Sequence, residues 1–242
     1  MAKIEFENSE ALCGWVSEQS AGACLLSFSA GKDSIGAWLR LRDHFSEIIP
    51  VYMYLVPDLE FVERSLRYYE DWFGAHIVRL PHPSLYRWLK SFTFQAPENC
   101  AVIEDFDLVD FDYDDVFNVV KAVYGLPEDT YTAVGVRATD SLNRWSAIKQ
   151  YGAVNVTRRS FYPTYDWRKD DLLDAIEQAG VKLPVDYNLF GRSFDGIDYR
   201  FLKPIRDHFP GDYERILEVF PMAELEIKRV EYREAYYARH NP

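Results

Sequence analysis

Leu25-Leu26-Ser27-Phe28-Ser29-Ala30-Gly31-Lys32-Asp33-Ser34-Ile35 is an apolar run that breaks into small polar residues and then opens a helical pattern. Ala23 to Phe28 reads as a short buried strand, and Ile35, Trp38, Leu41 and Phe45 follow at helical spacing on one face. Between the two, small residues let the backbone approach a ligand, while the free N–H groups and positive dipole end of a helix favour an anion. Lys32 adds a point charge, and the hydroxyls of Ser27, Ser29 and Ser34 add donors. The stretch therefore predicts a phosphate-binding turn. It is not a Walker A loop, because Leu26 stands where the first glycine is needed and Asp33 follows Lys32. The G-x-G-x-x-G of dinucleotide sites is also missing from it.

Working outward, residues 1 to 22 read as a leader helix around Leu12, Trp15 and Val16, stopped by Gly22. After the first helix, Ile48 to Val56 is a second apolar strand, and Asp58 opens a helix through Phe73 with Leu59, Val62, Leu66 and Tyr69 on its buried stripe. His76 to Leu80 is a short third strand, leading through Pro81 and Pro83 into a helix around Leu85, Trp88 and Leu89. Tyr131 to Val136 is a fourth strand and Val154 to Ser160 a fifth, followed by a helix with Leu172, Leu173 and Ile176 inward and Gly180 at its end. Alternating strands and helices imply an α/β fold with an open, mainly parallel five-stranded sheet flanked by helices. Right-handed crossovers place the first strand centrally, in the order 3-2-1-4-5. The expected organisation is a Rossmann-like domain over residues 1–190 and a loop and helical extension over 191–242.

The chain has 242 residues, with 39 Asp and Glu against 27 Lys and Arg, and this net charge of −12 opposes non-specific binding to nucleic acid. The charge is uneven. Glu98 to Asp115 holds eight acidic residues and no basic one, whereas Arg137 to Arg159 holds five basic residues against Asp140 alone, which suggests a focused anion site. Asp110, Asp112 and Asp114 match D-x-D-x-D, but Asp115 and Lys121 fill the positions where a calcium loop needs Gly and Glu. The acidic segment reads instead as a solvated loop capping a helix from Val116 to Tyr124, or as a partner-docking surface. Met1 to Ser9 is acidic and polar, unlike a signal peptide, and no apolar run reaches membrane-spanning length, so a cytoplasmic protein is expected with no membrane partner. Cys13, Cys24 and Cys100 are far apart and form no C-x-x-C, which argues against a disulfide framework, a zinc ribbon or an iron-sulfur cluster. The five histidines show no H-x-x-x-H spacing, so no protein metal site is expected.

The loop resembles the PP-loop of the ATP pyrophosphatase and phosphoadenosine-phosphosulfate (PAPS) reductase superfamily, with its G-G-K-D-S core in which Ala30 takes the place of one glycine. A second anchor is Gly135-Val136-Arg137 at a strand end followed by Asp140, Ser141 and Arg144, which reproduces the family's G-[IV]-R, acid-Ser and Arg pattern. Tyr162-Pro163-Thr164-Tyr165-Asp166-Trp167 is similar to the family's P-[IL]-x-x-W junction. The resemblance spans roughly residues 23 to 190. It implies ATP or PAPS bound by Ser27, Phe28, Ser29, Ala30, Gly31, Lys32, Asp33, Ser34, Tyr54, Gly135, Arg137, Asp140, Ser141 and Arg144. Lys32, Asp33 and Arg137 are the catalytic members, and Mg²⁺ is held mainly by the ligand's phosphates. It further implies attack by a second substrate on the α-phosphorus with loss of pyrophosphate. Standalone relatives of this kind are often found in phages and nucleic-acid modification systems, which points to a nucleobase or nucleic acid as that substrate.

The departure lies at the C-terminus. Sulfonucleotide reductases use a late cysteine as nucleophile, and this chain has none after Cys100, so PAPS or adenylyl-sulfate chemistry would need an external thiol. In that region stands Gly191-Arg192-Ser193-Phe194-Asp195, which misses the hydrolase elbow G-x-S-x-G at its last position and follows no strand. It reads as a turn or as a loop that closes over the nucleotide. The tail from Gly211, with Tyr213, Ile216, Leu217 and Phe220 together, reads as packing or as a homodimer face. A non-catalytic nucleotide-binding module is the remaining alternative.

Overall fold

The computed structural model of the chain describes residues 3–240. These fall into two compact units: the chain up to Met53 with Leu66–Leu80 and Asp112–Leu183, and Tyr54–Ser65 with Pro81–Phe111 and the residues from Pro184 onward. Among the described residues, no helix is long and apolar enough to cross a membrane.

The first unit begins with helix α1 (Ser9–Gln19), which starts later than the sequence suggests because the Asn8 side chain caps it by accepting from Ala11 N–H. Met1 and Ala2, the start of the expected leader helix, lie outside the described residues. Strand β1 (Ala23–Ser27) leads into α2 (Lys32–Leu41), then β2 (Glu47–Tyr54), α3 (Glu60–Phe73) and β3 (Val78–Pro81). Helices α4 (Pro83–Lys90) and α5 (Pro97–Asp105) belong to the second unit, and α6 (Tyr113–Tyr124) returns to the first. The sequence reading treats the acidic stretch as a loop up to Val116. Its beginning is instead the helical α5, opened by Pro97, and α6 starts three residues early. The capping role does hold: Asp112 accepts from the N–H groups of Asp114 and Asp115, and Asp115 accepts from Asp112 N–H, a reciprocal box.

Strand β4 (Thr132–Val134), a single 3-10 turn (Ala138–Asp140), α7 (Leu142–Tyr151), β5 (Val154–Asn155), β6 (Ser160–Phe161) and α8 (Lys169–Gln178) complete the first unit. The sheet is mostly parallel and Rossmann-like, as expected, with β1 between β2 and β4. It has six strands in the order 3-2-1-4-6-5, however, rather than five in the order 3-2-1-4-5. The expected fifth strand is broken because Asn155 Oδ1 accepts the Arg158 N–H and Arg159 turns left-handed at φ 49°. The chain doubles back there, so β5 pairs antiparallel to β6 at the edge. The core gathers Leu25, Leu26, Ile35, Leu41, Tyr69 and Phe161, all at most 1% exposed. Leu172 of α8 nests on α2 at Gly36, where an added Cβ would lie 2.2 Å from the leucine Cδ1. Leu173, expected inward, is 37% exposed: it follows Leu172 by one position and so projects from a different side of the helix.

The second unit continues with α9 (Val185–Phe190), α10 (Tyr199–His208), α11 (Pro210–Val219) and α12 (Glu224–His240). Its core is aromatic. Phe61 packs against Phe190, Phe194 and Phe209, and Phe201 against Phe190 and Phe194. Tyr213, Ile216 and Phe220 of the expected amphipathic tail are buried in it, while Leu217 is half-buried. One tie was invisible in the sequence: the buried Asp212 carboxylate accepts from the Glu60 and Phe61 N–H groups at 2.7 and 3.0 Å, capping the start of α3 from 152 residues away.

Candidate functional site

Strands β1 and β4 run side by side and in register, with Ser27 opposite Val134, so the loops that follow them leave the carboxyl edge of the sheet at the same level. The strand order reverses direction between these two strands, the place where open α/β sheets form their ligand crevice. This pairing alone brings Ser27–Ser34 and Gly135–Arg144 together.

Within the first loop each residue has a distinct task. Phe28 is 1% exposed and wedged edge-on against Tyr69 and Phe73, so it anchors the turn and offers only its backbone to a ligand. Ser29 is exposed, whereas Ala30 is buried in the left-handed region at φ 56°. That is the conformation for which glycine is the default, which explains why the glycine-rich pattern suits this turn. Ser34 braces the loop from inside: its Oγ donates to Gly31 O at 2.8 Å and accepts from Ser29 N–H at 3.3 Å. Gly31 is the N-cap of α2 and has no side chain to cap the helix; its own N–H donates to Ser29 Oγ at 3.4 Å, so the positive dipole end of α2 opens at this turn.

The second loop is fastened to the first through charge. Arg137, with only 5% of its side chain exposed, donates from Nε to Asp33 Oδ1 at 2.7 Å and from Nη2 to Asp140 Oδ1. Asp33 Oδ2 accepts from Lys32 Nζ at 2.8 Å, and Asp140 Oδ2 accepts from Arg144 Nη1 at 2.6 Å. Three cations and two carboxylates thus alternate in one chain, Lys32, Asp33, Arg137, Asp140, Arg144, leaving one net positive charge. Burial alone would push the Asp33 carboxyl upward, but the hydrogen bonds and charges of Lys32 and Arg137 outweigh it and hold the group below the usual carboxylate range. Asp33 therefore stays ionised and keeps both cations in place.

Gly135 is required by contact. A Cβ there would meet Asp33 O at 2.6 Å and Ser34 N at 2.8 Å, both backbone atoms, so only glycine lets β4 end flush against the first turn of α2. Ser141 caps α7 by accepting from Arg144 N–H at 3.2 Å. Tyr54, the last residue of β2, belongs to the second unit, where its carbonyl accepts from His82 N–H and burial raises its phenol, followed by Tyr86 and Asp58.

Ser27–Ser34 and Gly135–Arg144 lie together at one edge of the sheet, whereas Tyr54 belongs to the second unit, and two features of the loops were not legible in the sequence. Asp33 is the joint partner of Lys32 and Arg137, 104 positions apart, and Gly135 is a contact requirement rather than a turn residue. Among the described residues, no three His, Cys, Asp or Glu side chains gather as a metal cage. Two cavities of the first unit, of about 400 and 560 Å³, are lined by other residues, around Trp38 and Phe73 and around Lys3 and Tyr151. Neither includes a member of the loop.

Fold and site together define an α/β protein with a strand–turn–helix at the carboxyl edge of a mostly parallel sheet. No family model matches the sequence, and no curated protein matches it. Among solved structures, the chain is similar to the U34-tRNA thiolase NcsA from Methanococcus maripaludis, with its [4Fe-4S] cluster, at 12% identity and a TM-score of 0.44 over 89% of this chain and 80% of that one. It is also similar to the NH3-dependent NAD synthetase from Campylobacter jejuni, in complex with the nitrate ion, at 13% identity and a TM-score of 0.44 over 93% and 94%. At these values neither likeness carries a functional argument.

Proposed function

We propose that this chain is an ATP pyrophosphatase-type enzyme of the PP-loop kind, with the triphosphate seated on Ser27–Ser34. The observation that supports the reading most is the start of α2 at Gly31 behind a left-handed Ala30, with Lys32 at the same turn and Arg137 fastened across it. A helix dipole and a residual positive charge suit a polyphosphate better than a neutral ligand. In the proposed reaction an oxygen of the second substrate bonds to the α-phosphorus and the α–β bridging P–O bond breaks. Pyrophosphate leaves with that electron pair, and a nitrogen or sulfur nucleophile then bonds to the activated carbon of the adenylated substrate as the C–O bond to AMP breaks and AMP leaves with its electron pair. Lys32 and the loop N–H groups bind and orient the phosphates and offset charge as it develops, while Asp33 and Arg137 hold Lys32 and the second loop in register. Both oxygens of Asp33 and of Asp140 are already engaged by cations, so the protein offers no ready carboxylate cage. Mg²⁺ would arrive on the triphosphate, where it would neutralise phosphate charge. A nucleobase or nucleic acid is the proposed class of acceptor.

The test is turnover of α-labelled ATP with candidate acceptors, together with equilibrium binding of ATP and PAPS. AMP and pyrophosphate are the expected products, and Lys32→Ala should weaken ATP binding at least tenfold. Release of ADP and phosphate, or a strong preference for PAPS, would overturn the assignment.

A further inference from the structure

Helix α7 buries nothing. Of Leu142–Tyr151 every residue is exposed except Ile148, which is half-buried, and the exposed set includes Leu142 at 85%, Trp145 at 51% and Tyr151 at 67%. A ten-residue helix in water is marginal without an apolar face to bury, so a helix of this composition calls for a cover. It also carries Arg144 and Lys149 and no acidic residue, with the Lys149 ammonium 4.7 Å from the Trp145 ring.

The same unit presents the complement. The outer face of α6 is Asp115, Asn118, Val119, Ala122 and Val123, all exposed, with Val119 at 55% and Val123 at 76%. Acids flank this apolar stripe, Asp112 and Asp114 at one end and Glu128 and Asp129 at the other. The only cation on the helix, Lys121, points inward and donates to Glu128 O. Both faces are open on one chain, so neither covers the other in the same molecule.

We propose that α7 of one copy docks on the outer face of α6 of a second copy, making the chain a two-fold dimer in which this contact forms twice. Opposite charge and matched apolar stripes favour a second copy over nucleic acid at this helix, which offers a phosphate backbone Lys149 alone, its Arg144 being held by Asp140. The dimer would also steady the site, because Arg144 in the first turn of α7 grips Asp140, which grips Arg137. The proposal stands whatever the loop binds.

Sedimentation of the full chain tests it, using Trp145→Glu on α7, Val123→Glu on α6 and Tyr232→Glu on α12 as a surface control at a position 78% exposed. The wild type and the control should sediment as dimers, and each of the other variants should lose dimer affinity by about 30-fold or more with an unchanged circular-dichroism spectrum. Carbodiimide coupling of a mixture of ¹⁴N and ¹⁵N chains should join Lys149 to an acid flanking α6 between differently labelled copies. A monomeric wild type, a dimer insensitive to Val123→Glu, or inter-chain coupling of Lys149 elsewhere would overturn the proposal. So would a monomeric wild type that binds a labelled single-stranded oligonucleotide through Trp145.

Discussion

At Ala30 the chain holds an L-residue at φ 56°, a conformation that costs a non-glycine residue about 1–2 kcal/mol. The strain persists because Phe28 is locked in the core on one side and Ser34 braces the turn on the other. Ala30→Gly removes the strain but also a buried methyl and some rigidity of the unfolded chain, so its stability should fall within about 1 kcal/mol of wild type with ATP binding kept. Ala30→Val puts a β-branched side chain where it is a genuine outlier and should cost about 2 kcal/mol or more while weakening ATP binding. Urea denaturation and calorimetric titration measure both, and a valine variant equal to wild type would show that the left-handed turn does not set the loop. At this scale the sequence was informative: Gly31, Lys32, Asp33 and Ser34 marked the turn from β1 into α2 by type and spacing alone. What it withheld was partnership, since the pairing of Asp33 with Arg137 depends on two strands lying in register.

Between elements, fit replaces residue type as the deciding factor. Gly135→Ala drives a Cβ into the Asp33 and Ser34 backbone at 2.6 to 2.8 Å, so β4 and α2 must part. The expected cost is about 1–3 kcal/mol, with a larger proportional loss of nucleotide affinity than of stability because the displaced turn is the loop itself. Thermal denaturation and ATP titration of the variant decide it, and retained affinity would mean the two loops do not act together. A second junction gives a pH signature. Glu70 near the end of α3 accepts two hydrogen bonds from Arg79 of β3, and also the Ile77 N–H, after the chain reverses through Gly74 at φ 64°. The Arg79 hydrogen bonds, against burial and with help from Ile77 and His76, lower its carboxyl from 4.5 to about 2. A depressed acid stabilises the fold above its unfolded value and loses that contribution as pH falls from about 4.5 toward 2. Glu70→Gln should therefore be less stable than wild type at neutral pH, with the gap closing on acidification in denaturation curves. A gap that is constant with pH would contradict the ion pair. The helical periods of α2 and α3 and the order of the first four strands were readable because each buries one continuous stripe. The β5–β6 reversal and the remote cap by Asp212 were not, because they rest on an Asx turn and on a contact across 152 residues.

Over the whole molecule, the distribution of cysteines bears on which reaction the site supports. Burial raises the Cys13 thiol to about 12, ahead of smaller effects from Arg40, Asp166 and Glu10, and places Cys24 well above its ordinary value, so neither is a nucleophile at neutral pH. Cys100 is half-buried and lies in the second unit. The sequence showed that no cysteine follows Cys100, and the fold adds that two of the three are sealed in the core. Under native conditions N-ethylmaleimide should therefore modify Cys100 and leave Cys13 and Cys24 untouched, with all three reacting after unfolding. If the loop serves adenylation, the modified protein and Cys100→Ser should bind ATP and release AMP and pyrophosphate as the untreated protein does. PAPS should not be reduced unless a separate thiol donor is supplied. Peptide mass mapping with product analysis reads both outcomes at once. Loss of turnover on selective labelling of Cys100 would return sulfonucleotide chemistry to this chain, because the only accessible thiol would then be needed for the reaction rather than incidental to it.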